Sequence, residues 1–181
     1  GTDEGIIRGA YLLEETSGDG PKVRLLGSGP ILKLVREAAT ELLRDHGVES
    51  EVWSVTSYGE LRRVGMEHER KKRLDPGSKS IPYVSECFGD ETPTIATSDY
   101  ISSVPEMIQR WVGGRYVVLG TEGFGRSDSR EALRTFFEID TNSVVIAALS
   151  ALEQNGTLPP GTVQKEMKSR GVSSRRIDKT E

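Results

Sequence analysis

The sequence predicts an α/β fold: a three-layer α/β/α sandwich with a mostly parallel sheet of about five strands and one antiparallel edge strand. Short strand-like segments alternate with longer segments of helical periodicity, the order typical of a parallel sheet with helices on both faces. Residues 116–120, YVVLG, are a continuous apolar run, as expected of a strand buried on both faces. The chain has 181 residues, the size of one domain.

The strands are predicted from apolar and β-branched runs bounded by turn residues. The first two flank a turn-rich segment, Ser17-Gly18-Asp19-Gly20-Pro21, so the chain is expected to open with a β-hairpin. The strands are predicted at residues 9–14, 22–26, 51–55, 94–97 and 116–120.

The helices are predicted from apolar residues at three- and four-residue spacing. The clearest covers residues 30–46, where Pro30 suits a first helical turn and Gly47 a helix end. Asp128 and Glu131 have the spacing of a capping box, which predicts that Asp128 caps the helix that follows. Residues 77–93 are predicted to be a loop and residues 171–181 a frayed tail. The other helices are predicted at residues 58–73, 105–111, 129–137 and 143–154.

Composition excludes several classes of function. The net charge is −4, which gives no overall attraction to nucleic acid or to anionic lipid. No apolar run approaches the roughly 20 residues of a membrane span, so a membrane partner is not expected. The single cysteine, Cys87, cannot form an internal disulfide, which favours a cytoplasmic protein. The chain begins at Gly1 and not at Met, so we expect a single domain, residues 1–181, cut from a longer protein.

Gly27-Ser28-Gly29 lies between a predicted strand and a predicted helix, where backbone N–H groups can bind a phosphate. Leu32 stands where a dinucleotide-binding motif has its third glycine, and no Lys-Ser or Lys-Thr pair follows as in a P-loop. The pattern favours an ordinary strand-to-helix turn. A free-standing small-molecule or nucleotide-binding module that uses this turn is kept as the alternative function.

Metal and acid–base sites have little support in the sequence. Gly18-Asp19-Gly20 is similar to the opening of a thiamine diphosphate motif, but no asparagine follows at the required spacing, and a turn explains the pair. His46 and His68 are the only histidines, and with one cysteine they cannot form a usual structural zinc site. Residues 69–73, ERKKR, predict a solvated helix face, with a patch for an acidic partner as the less favoured alternative.

The most informative segment is the loop after the strand at residues 116–120. It combines glycines, a phenylalanine and polar residues at the carboxyl edge of the predicted sheet, where open α/β folds place ligand or partner contacts. A tight connection with a helix cap explains it equally well. The candidate residues for an interface or an active-site edge are Thr121, Glu122, Gly123, Phe124, Gly125, Arg126, Ser127 and Asp128.

The same segment carries a family resemblance. Residues 119–130, LGTEGFGRSDSR, continued by EALRTFFEID, resemble the last, transketolase-like domain of the homodimeric, bacterial-type pyruvate dehydrogenase decarboxylating component. Its Phe124-Gly125-x-Ser127 core is also similar to transketolases. The resemblance weakens after about residue 156. Other segments resemble the same domain in the same order: residues 4–9, 25–29, 35–39, 52–58 and 97–100.

The resemblance implies a parent enzyme that decarboxylates pyruvate on thiamine diphosphate with magnesium and acetylates a lipoyl group of the dihydrolipoyl acetyltransferase core. Both cofactors would be held by the preceding domains of the same chain, so this chain would carry no catalytic, cofactor-binding or metal-binding residue. Its implied role is to complete a homodimer and support the active-site cleft. The implied setting is the cytoplasmic multienzyme complex that links glycolysis to acetyl-CoA synthesis.

Overall fold

The structure, a computed structural model, describes residues 2–174 and contains one five-stranded mixed sheet. The strand order is β1-β3-β2-β4-β5. β1 runs antiparallel to β3, and the other neighbours are parallel, so the predicted fold and its antiparallel edge strand are confirmed. The strands are β1 Ala10–Glu15, β2 Lys22–Gly27, β3 Glu49–Val55, β4 Thr94–Ile101 and β5 Tyr116–Thr121.

The predicted long helices form, with differences at the shorter elements. Gly47 ends α2 with φ of 62°, a left-handed conformation that glycine adopts without strain. The predicted helix at residues 105–111 is wrong: a short helix ends at Glu106 and a 3₁₀ turn follows at Gln109–Trp111. The helices are α1 Thr2–Arg8, α2 Leu32–His46, α3 Tyr58–Leu74, α4 Tyr83–Phe88, α5 Ser103–Glu106, α6 Arg130–Phe136, α7 Thr141–Gln154 and α8 Thr162–Ser169.

Three of these helices were not predicted. α1 contains Gly5, a poor helix former, and α4 is only six residues long inside the predicted loop at 77–93. α8 lies beyond the last predicted helix. Of the predicted tail, residues 171–174 lie outside any helix, and residues 175–181 lie outside the described residues.

The sheet separates two apolar cores, because successive side chains of a strand point to opposite faces. Leu25 of β2 and Ile95 of β4 face α2 and α7. Their neighbours Leu26 and Ala96 face the other layer, formed by α3, α4 and the segment around Trp111. This arrangement gives the three predicted layers.

The predicted opening hairpin is wrong. β1 does not pair with β2, because β3 lies between them in the sheet. The segment between β1 and β2, residues 16–21, therefore crosses the end of β3. The buried carboxylate of Glu49, at the start of β3, accepts a hydrogen bond of 2.7 Å from the backbone N–H of Gly20. The Gly18-Asp19-Gly20 turn thus serves a crossover and not a hairpin.

A buried arginine of β2 forms ion pairs with β3 and with the segment before β4. Arg24 is 2% exposed; its Nε lies 2.7 Å from the Glu51 carboxylate of β3, and its Nη atoms lie 3.1 and 3.0 Å from the Asp90 carboxylate. The hydrogen bonds from Arg24 lower the pKa of Asp90 to about 2. The charge of Arg24 is buried but paired, as a buried charge must be to be tolerated.

Among residues 2–174, one segment meets the length and hydropathy of a membrane span, contrary to the prediction that no apolar run approaches that length. Arg130–Gln154 has a mean hydropathy of 1.2 in its most apolar window. The segment forms two helices, α6 and α7, with a break at residues 137–140. The apolar residues of α7, among them Val144, Ala148 and Leu152, are buried in the core between the sheet and α2, so α7 is explained as a core helix.

Candidate functional site

The carboxyl ends of β2, β3, β4 and β5 meet at one edge of the sheet, here called the carboxyl edge. β2 lies at the centre, with β3 on one side and β4 on the other, so the strand order reverses between β2 and β4. In open α/β sheets, ligands and partners bind outside the carboxyl ends at such a point. The predicted candidate loop begins at this edge, at the end of β5.

The candidate loop, Thr121 to Asp128, is anchored at its base and exposed at its tip. The Thr121 hydroxyl donates to the backbone oxygen of Asp99 at 3.3 Å, and the Glu122 carboxylate accepts from the backbone N–H of Ser102 at 3.2 Å and from the Ser102 hydroxyl. Gly123 has a φ of 84°, which favours glycine. Phe124 follows and is 77% exposed. The loop therefore presents an aromatic ring to the surroundings from a fixed base.

The predicted helix cap is displaced by one residue. Ser129, not Asp128, is the N-cap of α6: its hydroxyl accepts from the backbone N–H of Ala132 at 3.2 Å. The Asp128 carboxylate instead accepts from the backbone N–H of Ser129 at 2.6 Å. Arg126 places its guanidinium 4.3 Å from the centre of the Phe136 ring. The second half of the loop is thus fixed to α6.

A groove of about 330 Å³ lies between the base of the loop and α6. Both ends of the loop, Thr121 and Asp128, line it, together with a predominantly apolar floor. Residues from distant parts of the sequence complete the lining: Pro30, Ile31, Asp99, Arg130, Leu133, Arg134, Phe137 and Ile139. An apolar floor with a charged rim suits the side chain of a polypeptide partner.

Tyr100 and Ile101 also belong to this edge and were missed as site residues. They end β4 and are 57% and 52% exposed. The signal was present in the sequence, because apolar residues at the carboxyl end of a parallel strand lie at the same edge as the candidate loop. Together with Phe124 they give the carboxyl edge an exposed apolar character.

The Gly27-Ser28-Gly29 turn is explained by packing. A Cβ on Gly27 would lie 2.9 Å from Cα of Leu32, so glycine allows α2 to approach β2 closely. The Ser28 hydroxyl is buried and hydrogen-bonded to the Ser98 hydroxyl at 2.8 Å, which joins β2 to β4. The turn borders a cleft of about 560 Å³ at the start of α3, but no feature of it is specific for a nucleotide.

The remaining candidates do not form a site with this edge. His46, the last residue of α2, has its Nε2 3.5 Å from a carboxylate oxygen of Glu166 on α8. His68 Nδ1 lies 3.0 Å from the backbone oxygen of Val64, within α3. Within residues 2–174, no group of three His, Cys, Asp or Glu side chains could hold a metal ion. Cys87 is partly buried, and burial raises the pKa of its thiol, which disfavours the reactive thiolate.

The chain is similar over most of its length to one group of curated relatives. It is 49% identical over 176 residues to a pyruvate dehydrogenase E1 component of Pseudomonas aeruginosa, and 48% identical over 160 residues to that of Escherichia coli. These alignments cover 95% and 87% of this chain. The chain spans only 20% and 18% of the lengths of those two relatives.

Solved structures share the fold at low sequence identity. A transketolase from Leishmania mexicana matches 86% of this chain and 20% of its own, with a TM-score of 0.57 and 22% identity. A structure described as a split gene transketolase, inactive beta4 tetramer, matches 80% of this chain and 42% of its own, with a TM-score of 0.50 and 17% identity. Residues 9–140, which include all five strands, match the family described as the transketolase-like TK C-terminal domain. The chain belongs to that family.

Proposed function

We propose that this chain is the carboxy-terminal assembly domain of a thiamine diphosphate-dependent pyruvate dehydrogenase, forming one domain over residues 1–181. The observation that carries the proposal is the 49% identity over 95% of this chain to a pyruvate dehydrogenase E1 component, of which the chain spans 20%. Most of such a protein lies outside the matched segment. We therefore assign the catalytic function to a larger chain, and to this part a role in its assembly.

The parent enzyme of this proposal decarboxylates pyruvate and transfers the acetyl group to a lipoyl group on a dihydrolipoyl acetyltransferase core. It acts as a homodimer in the cytoplasm, in the complex that converts the product of glycolysis to acetyl-CoA. Thiamine diphosphate, when bound, supplies the carbanion chemistry. Within residues 2–174, no group of three His, Cys, Asp or Glu side chains is placed to hold a metal ion, and we assign magnesium and the diphosphate to the rest of the longer chain. No chemical step is assigned to the described residues.

The contribution of this chain lies at the carboxyl edge. Phe124, Tyr100 and Ile101 are exposed there beside a groove with an apolar floor. An exposed aromatic ring on an anchored loop loses little conformational freedom on docking, and aromatic residues often carry much of the binding energy of an interface. We assign Thr121 to Asp128 to the contact with the preceding domains or with the second subunit.

The test is a chimera. The segment of the Pseudomonas aeruginosa relative that matches this chain is replaced by residues 1–181. The molecular mass of the protein in solution and its thiamine-dependent decarboxylation of pyruvate are then measured. We expect a dimer that retains activity, whereas the relative without this segment loses both. A correctly folded chimera that dimerises but has no activity, or a truncated relative with full activity, would refute the assembly role.

A single substitution in that chimera tests the loop. Phe124→Ala removes the exposed ring and is expected to weaken dimer assembly by on the order of 2 kcal/mol, with activity falling in proportion to the dimer lost. Leu43→Ala, which shortens an exposed side chain on α2, is the matched control and should change neither quantity. Loss of turnover in an intact Phe124→Ala dimer would instead assign the loop to the catalytic machinery.

A further inference from the structure

The first helix, α1, lies at the carboxyl edge, at the opposite end of that edge from the candidate loop. β1 runs antiparallel to β3, and its first residue, Ala10, pairs with Val55, the last residue of β3. The start of β1, and α1 before it, therefore lie beside the carboxyl ends of the other strands. β1 and β5 are the two edge strands, and four strand spacings, roughly 19 Å, separate them.

α1 is fixed to the domain, although only one of its seven residues is buried. So short a helix is not stable by itself, and its stability depends on its contacts. The guanidinium of Arg8 lies 3.6 Å from the centre of the Tyr83 ring, and its Nη2 lies 3.0 Å from the Glu86 carboxylate. The Thr56 hydroxyl donates to the backbone oxygen of Ile6 at 2.8 Å. These contacts hold α1 in one orientation on the domain.

The outer side of α1 is apolar. Gly5 faces the domain, because a Cβ there would lie 2.7 Å from a Cβ of β1. Ile7 lies about 200° further round the helix, so it points away from β1, and it is 77% exposed. Ile6 is 45% exposed. Asp3 and Glu4, one turn before Ile7, give this apolar surface an acidic border.

The chain outside this domain identifies what covers that surface. The family match begins at residue 9, so α1 precedes the matched domain, and the chain spans only 20% of its Pseudomonas aeruginosa relative. In the proposed function, the rest of the longer chain precedes this domain and is continuous with α1. Thr2 and Ile7 are about 8 Å apart along the helix. A segment held so near has an effective concentration on the order of millimolar, which favours it over a separate protein.

We propose that α1 is a fixed joint between this domain and the preceding domain of its own chain, which packs an apolar surface on Ile6 and Ile7. The inference rests on the proposed function and adds to it a contact at the other end of the carboxyl edge. Because Arg8 fixes α1, the preceding chain enters this domain in one direction. That direction limits how the two domains rotate against each other.

The test compares Ile7→Ser in the 181-residue chain and in the Pseudomonas aeruginosa chimera. Isoleucine and serine have similar helix propensities, and Ile7 is exposed in this domain, so the urea midpoint of the 181-residue chain should not change. In the chimera, limited proteolysis between the domains should become about tenfold faster, because loss of the apolar contact raises the population of the undocked state. Leu43→Ser, at an exposed position on α2, is the matched control and should change neither quantity.

Arg8→Ala tests the fixed attachment of α1. In the 181-residue chain, hydrogen exchange of the α1 amides should become about fivefold faster, because an ion pair and a cation–π contact are lost. Arg62→Ala is the control. Arg62 is exposed on α3 and has no ion pair among residues 2–174, so its removal should leave the exchange unchanged. Equal exchange in the two variants would mean that Arg8 does not hold the joint.

The unsubstituted chimera separates this inference from the proposed function. If it does not assemble, the proposed function fails and the joint fails with it. If it assembles, and Ile7→Ser speeds cleavage no more than Leu43→Ser does, the joint is refuted while the proposed function stands. Dissociation of the Ile7→Ser dimer without faster cleavage would assign the surface to the second subunit, and would also overturn the proposal.

Discussion

Gly65 shows how a single missing Cβ shapes the core between the sheet, α3 and α4. A Cβ at this position would lie 2.6 to 2.8 Å from three atoms of the Trp111 indole, which is nearly buried. The absence of a side chain therefore lets the ring lie directly on α3. Helix propensity alone would favour alanine here by up to about 1 kcal/mol, so packing and propensity oppose each other.

We expect packing to dominate. Gly65→Ala should lower the free energy of unfolding by about 1–3 kcal/mol, the usual cost of overpacking a core. Gly59→Ala is the matched control in the same helix, because a Cβ there would meet only the Ser57 hydroxyl at 3.8 Å. Urea unfolding of the two variants decides between the effects: a Gly65→Ala protein as stable as Gly59→Ala would mean that the indole moves aside freely.

The Arg24–Asp90 pair gives the stability a defined dependence on pH. The pKa of Asp90 is lowered from 3.8 to about 2 in the folded state, chiefly by the hydrogen bonds from Arg24. A lowered folded-state pKa means that the carboxylate stabilises the fold above pH 3.8 and loses this effect as pH falls towards 2. More than half of the Asp90 side chain is exposed, so solvent screening reduces the size of the effect.

Asp90→Asn should therefore be less stable than the original protein near pH 6, and the difference should shrink as pH falls from about 4 to about 2. Thermal unfolding followed across that range measures it. Asp75→Asn is the control, since Asp75 lies in an exposed turn and forms no ion pair among residues 2–174. A stability difference for Asp90→Asn that stays constant with pH would contradict the assigned role of the charge.

At the scale of elements, the start of α6 next to the candidate loop depends on the N-cap residue Ser129. The Ser129 hydroxyl satisfies the backbone N–H of Ala132, and α6 has no buried residue to compensate for a lost cap. Ser129→Ala should destabilise α6 by about 0.5–2 kcal/mol, and Ser129→Asp should restore it. Asp128→Ala, which leaves the cap in place, should cost less. Hydrogen exchange of the α6 amides distinguishes the two positions, and faster exchange in Asp128→Ala would reinstate the cap predicted from sequence.

The elements also show where sequence patterns succeed. The long helices α2, α3 and α7 and the apolar strand β5 were predicted because their own residues carry the periodicity. The hairpin was predicted from turn residues, which report local geometry, whereas the pairing of β1 depends on a strand that comes later in the chain. The candidate loop could be located by its place after β5. The groove beside it could not, because residues near 30, 99 and 130–139 form it jointly.

At the scale of the whole molecule, the insertion of β3 between β1 and β2 has a consequence for synthesis on the ribosome. Ala10 pairs with Val55, so the first strand has no partner until the third has emerged. At about 5–20 residues per second, this interval is on the order of seconds. During this interval the segment that contains Leu12 and Leu13 has no strand to pair with. An unpaired apolar strand is prone to associate with other nascent chains. Once β3 has paired with β1, the register shift between Leu12 and Glu14 makes this edge strand irregular, which disfavours the addition of a strand from another chain.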